Sequence, residues 1–129
     1  MEREELNNVV KAFNVIGGMK FKDLTKYMKL EGGITISRQQ LAQYISYEYI
    51  DKPRIESDNV NQGYYKGESI YRCLNLVVLH KYFRGEVVKE LLAHSTDDKL
   101  WYAIKKNKTL CGNTIEFLTE LFKDLSATK

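Results

Sequence analysis

Four side chains between residues 38 and 43 carry paired hydrogen-bonding groups: Arg38, Gln39, Gln40 and Gln43. A guanidinium fork matches the acceptor pair of guanine and a carboxamide matches the donor and acceptor of adenine, so these residue types suit base edges. Just upstream, Lys20, Lys22, Lys26 and Lys29 supply charge of the kind that meets phosphates, or that simply solvates a helix face. Lys99, Lys105, Lys106 and Lys108 read more simply as solubility charge than as a second patch.

Covalent or metal chemistry finds less support. His80 and His94 are the only histidines, and neither stands in an HExxH-like spacing. Cys73 and Cys111 are far apart and outside any CxxC pair, which argues against a structural zinc or a disulfide framework. Cys73 falls at a core spacing, and Cys111 lacks the basic neighbours that lower a thiol pKa. The expectation is a protein that is not an enzyme, with no metal, no cofactor and no small-molecule effector.

Apolar periodicity places the elements that carry these residues. Leu6, Val9, Val10, Phe13 and Ile16 predict a helix over 2–16, stopped by Gly17-Gly18. Phe21, Leu24, Tyr27 and Met28 predict a second over 21–28, ended by Gly32-Gly33. Residues 34–36 suit a short edge strand, and Ser37 with Gln40 has the form of a capping box that opens a helix over about 37–47. Between 50 and 65, Pro53, Asp58, Asn59, Asn61 and Gly63 break the helical period, while Ile55, Val60, Tyr64 and Tyr65 suit the strands of a hairpin. Helical patterns return from Ser69 towards Tyr82, over 86–93, around 100–104 after Thr96-Asp97-Asp98, and from Asn113, where Ile115, Leu118, Leu121, Phe122 and Leu125 form a stripe.

Two helices, a hairpin and further helices is the order of a winged helix-turn-helix, whose second helix enters the major groove. The stretch Leu41-Ala-Gln-Tyr44-Ile-Ser-Tyr-Glu-Tyr49-Ile50-Asp-Lys-Pro53-Arg54 resembles, without a gap, the recognition-helix and wing-entry segment of MerR-like regulators. That family's pattern is roughly Leu-Arg-Tyr-Tyr-Glu-x-x-Gly-Leu-Ile-x-x-Pro-Arg, matched here at Leu41, Tyr44, Ile50, Pro53 and Arg54. Gly63-Tyr64-Tyr65 and Ile70-Tyr-Arg72-Cys73 are similar to its Arg-Tyr-Tyr and Leu-x-Arg-Leu. Val87, Val88, Leu91 and Leu92 look like its terminal helix, so the resemblance covers about residues 21–92. The chain departs from the pattern with Ala42 and Gly63 in place of arginines and with Glu48 in place of a helix-closing glycine.

The resemblance implies a mainly α protein, a winged helix-turn-helix with a small β-hairpin wing and extra N- and C-terminal helices. Its expected contacts to double-stranded DNA are Lys22, Lys26, Arg38, Gln39, Gln40, Gln43, Tyr44, Lys52, Arg54, Tyr64, Tyr65 and Lys66. The tyrosines, including Tyr47 and Tyr49, suit packing between wing and helices as well as DNA contact. The expected role is sequence-specific DNA binding by a transcription regulator or a phage or plasmid accessory factor, acting as a homodimer. The alternative is a winged-helix protein–protein interaction module without DNA reading. It draws on a head in which Arg38, Lys52, Arg54, Lys66 and Arg72 are balanced by Glu48, Asp51, Glu56, Asp58 and Glu68.

With 129 residues, 43% of them hydrophobic, the chain is long enough for one domain with a core of its own. Within it, residues 1–18 form an N-terminal helix, 19–93 the head and 94–129 a helical extension suited to dimerisation. The stripes of Leu6, Val9, Val10 and Phe13 and of Leu118, Leu121, Phe122 and Leu125 either pack within the chain or form a two-fold interface. A net charge of +3 permits nucleic-acid binding without demanding it. The start MEREELNN is acidic and polar, and no apolar run reaches the roughly 18 residues of a membrane span, so a cytoplasmic protein away from membranes is expected.

Overall fold

The computed structural model describes residues 1–54, 63–108 and 112–127. Among them are seven helices: α1 (Arg3–Val15), α2 (Phe21–Gly32), α3 (Arg38–Ser46), α4 (Ser69–Leu79), α5 (Gly85–His94), α6 (Asp97–Lys108) and α7 (Thr114–Ala127). The chain groups into two compact units, Met1–Leu74 and Asn75–Lys129. The division falls inside α4.

In the first unit each helix forms around an apolar stripe and stops for a local reason. Leu6 and Val10 are buried on α1, Leu24 and Met28 on α2, and Leu41 and Tyr44 on α3. α1 ends in a Schellman motif, with the Gly18 N–H donating to Phe13 O at 2.7 Å and the Gly17 N–H to Asn14 O at 3.3 Å. Both glycines have positive φ, 98° and 122°, which few other residues adopt. α2 stops at Gly33 with φ 69°. α3 starts where Ser37 Oγ accepts from the Gln40 N–H at 3.0 Å.

α3 also ends in a Schellman motif, and here the left-handed residue is not glycine. Glu48 takes φ 63°, its N–H donates to Ile45 O at 3.0 Å, and the Tyr49 N–H donates to Tyr44 O at 2.9 Å. The turn is therefore made at the cost of a Cβ in the left-handed region.

The expected wing is not found. Among the described residues there is no strand and no sheet, 34–36 included, so they are mainly α and show no β-hairpin wing. At the base of the expected hairpin stand two isolated antiparallel bridges, Arg54 with Tyr64 and Met19 with Tyr65. The successive residues Tyr64 and Tyr65 bridge to two different segments, one on each side, so neither pairing extends into a two-stranded ladder among the described residues. Tyr64 gives its backbone bonds to Arg54, and Tyr65, whose N–H and C=O point to the opposite edge, exchanges its own with Met19 at 2.8 Å. Ile55 and Val60, assigned to the hairpin strands, lie outside the described residues.

The second unit is built on α5, α6 and α7, with α6 and α7 packed along each other. Leu100, Trp101, Ile104, Leu121 and Leu125 are buried. Asn107 Nδ2 donates to Asp124 Oδ2 at 2.8 Å, and Lys106 lies 3.5 Å from the same carboxylate. Phe117 receives Tyr82 edge-on at 5.5 Å and stacks on Phe83 at 5.7 Å. The stripes offered to a partner chain are thus largely covered within this one: Leu6, Val10, Leu121 and Leu125 are each less than 8% exposed.

Candidate nucleic-acid interface

α3 is amphipathic over its whole length. Leu41 and Tyr44 face the core, while Arg38, Gln39, Ala42, Gln43 and Ser46 are exposed. Gln39 and Gln43 are four residues apart and so stand one above the other, flanked by two small side chains. The helix carries no acidic residue in its first turn. On α2, Lys22, Lys26 and Lys29 are exposed and share one face at helical spacing.

An aromatic joint ties the starts of these two helices. Arg38 Cζ stands 4.5 Å from the centre of the Phe21 ring, a cation–π distance that fixes the long arginine side chain. Tyr65 is close enough to feel the same guanidinium: burial raises its phenol pKa and the Arg38 charge opposes that rise. Phe21 was read in the sequence only as an apolar position of its helix, and nothing there marked it as the support of Arg38.

Of the acidic groups that balance the head, the fold engages Asp51 and Glu68, while Glu48 is exposed just after α3 and Glu56 and Asp58 lie outside the described residues. Between residues 20 and 47 lie Lys20, Lys22, Lys26, Lys29 and Arg38 against only Asp23 and Glu31, and the Glu31 side chain is buried. Asp51 is engaged elsewhere, accepting from Lys66 Nζ at 2.9 Å. That hydrogen bond holds the Asp51 carboxyl below and the Lys66 ammonium above their ordinary values. Glu68 accepts from Asn14 Nδ2 at 2.6 Å.

The remaining expected contacts, Lys52, Arg54, Tyr64, Tyr65 and Lys66, line a shallow depression of about 270 Å³ together with Asp51. Its other walls are Asn14, Gly17 and Gly18 at the end of α1, none of which the sequence marked as site residues. Arg54 is held there by Gly17 O, which accepts from Nη2 at 2.7 Å. Gly63 lies so close to the Pro53 ring that an added Cβ would stand 2.5 Å from Pro53 Cβ.

Two expected contacts belong to the core side of α3. Tyr44 is 7% exposed, and its hydroxyl accepts from Gln40 Nε2 at 3.1 Å. Burial raises the Tyr44 phenol pKa against the lowering effect of that bond. Gln40, rather than reaching back to complete a capping box, spends its amide on Tyr44.

Among the described residues no group of three or more His, Cys, Asp or Glu side chains is placed to hold a metal. Cys111 lies outside them. No described helix is long and apolar enough to cross a membrane. Compared with known families, curated proteins and solved structures, the chain matches none.

Proposed function

We propose that the unit spanning Met1–Leu74 binds duplex DNA, with the exposed face of α3 set into the major groove and the lysines of α2 on the phosphate backbone. The observation that carries this is the composition of one helix face. Arg38, Gln39, Ala42, Gln43 and Ser46 present donors, acceptors and small groups to solvent, with no carboxylate among them. An α-helix of this kind fits the width of the major groove. Lys22, Lys26 and Lys29 on the neighbouring helix supply charge without which a duplex contact has little affinity. Occupancy of an operator by a transcription regulator or accessory factor is the role such a face serves.

The test is binding of an arbitrary duplex at graded salt. Affinity falls linearly on a log–log plot, and replacing Lys22, Lys26 and Lys29 together by alanine flattens the slope by roughly three units. Absence of any retarded species at low salt and tens of micromolar protein sinks the proposal. The protein-interaction reading would then take over, supported by Val15 and Ile16, which are 85% and 73% exposed at the end of α1.

A further inference from the structure

We infer that α3 selects A·T base pairs, reading two adenines through Gln39 and Gln43 with Ala42 placed against a thymine methyl group. This rests on the duplex-binding role just proposed and adds which bases are chosen. The structure separates side chains that look equivalent in the sequence. Gln40 is half-buried with its amide on the Tyr44 hydroxyl. Tyr44 is buried. Arg38 is stacked on Phe21 at the first turn, which leaves its in-plane donors suited to a phosphate at the groove edge. Gln39 and Gln43 remain, both exposed, and among the described residues neither amide has a hydrogen-bond partner.

A carboxamide offers one donor beside one acceptor. Adenine presents the complement in the major groove, the N7 acceptor beside the N6 donor, whereas guanine presents two acceptors and satisfies only half of the amide. Four residues along a helix rise about 6 Å, close to two base-pair steps of about 3.4 Å. The adenines therefore lie about two steps apart. Ala42 is exposed beside Gln43, and its methyl group is of the kind that seats against the C5-methyl of thymine. The small side chains of Ala42 and Ser46 let the helix backbone approach the base edges.

The experiment is selection from a randomised duplex pool with the full chain. The expected result is enrichment of A·T pairs at two positions about two steps apart. In a selected site, 7-deazaadenine at either position, which removes the N7 acceptor and keeps the N6 donor, lowers affinity by roughly 5-fold or more, within the ceiling of about 150-fold for a whole bidentate contact. Gln43→Arg moves the preference at one position from adenine to guanine and leaves the Gln39 position unchanged. The base analogue acts on the unaltered protein, so its outcome is independent of whether that variant folds. Salt-sensitive binding with no enriched A·T position overturns the inference and leaves the proposed function standing. Enrichment of G·C pairs overturns it in favour of Arg38, and failure to bind any duplex removes both.

Discussion

The Arg54 guanidinium donates to the carbonyl oxygen of Gly17 at 2.7 Å while its Cζ stands 5.2 Å from the Tyr64 ring centre. The arginine thereby closes the C-terminal end of α1, where carbonyl groups carry partial negative charge, and pins the segment leaving α3 to it. Arg54→Ala is expected to lower stability by about 1 kcal/mol, the net worth of one such bond, and to leave base preference unaltered. Urea unfolding followed by circular dichroism measures the first and a binding assay the second. Unchanged stability with weakened DNA binding would make Arg54 a phosphate contact instead.

Glu48 supplies a second stability test. Its φ of 63° places a Cβ where the left-handed backbone tolerates it poorly, at about 1–2 kcal/mol. Glu48→Gly is expected to raise stability by about 1 kcal/mol, since glycine adopts the same turn without the clash. A thermal melt shows it as a higher midpoint. A lower midpoint would mean that the glutamate side chain makes a contact worth more than the strain.

Much of this was legible in the sequence, and what escaped it has identifiable causes. Helix positions followed from apolar spacing because Leu6, Val10, Leu41, Leu121 and Leu125 each recur on one face, and all are buried. The wing expectation failed because Tyr64 and Tyr65 suit a strand wherever they pair, and residue type does not reveal that Tyr65 pairs with Met19. Gln40 read as a base contact because a carboxamide looks the same whether it faces solvent or the Tyr44 hydroxyl. Asn14 gave no signal, since its partners lie more than fifty residues away in the chain.

Leu121 distinguishes packing within the chain from packing between chains. It is fully buried on a helix that lies along α6, so Leu121→Ala is expected to cost about 2–5 kcal/mol in stability. Sedimentation of the folded variant should give the same mass as the wild-type chain. A variant of unchanged stability but smaller mass would put Leu121 in a subunit interface.

Acid stability has a predicted sign at His80. His80 is exposed just after α4, and the partial desolvation there lowers its pKa below the ordinary value of 6.5, so near and below that value the unfolded chain binds this proton more readily than the folded one. The stabilising difference is complete above about pH 6.5 and is lost as the pH falls through the folded value. Stability measured between pH 7.5 and 5 should decline less steeply in His80→Gln than in the wild-type chain. Parallel curves would show that other groups govern the decline.

Asn14 does two opposite things with one side chain, giving a hydrogen to Glu68 Oε1 at 2.6 Å and taking one from the Gly67 N–H at 2.9 Å. Beneath that contact Gly67 presses on α1 so closely that an added Cβ would stand 2.5 Å from Val10 O. Few replacements at position 14 preserve such a clamp. Aspartate keeps the shape but sets a second carboxylate against Glu68, leucine keeps the bulk but neither bond, and glutamine offers the right atoms one methylene too far out. The junction is thus intolerant of near neighbours in chemistry and size, although Asn14 sits exposed on the surface, where a substitution would ordinarily pass unnoticed.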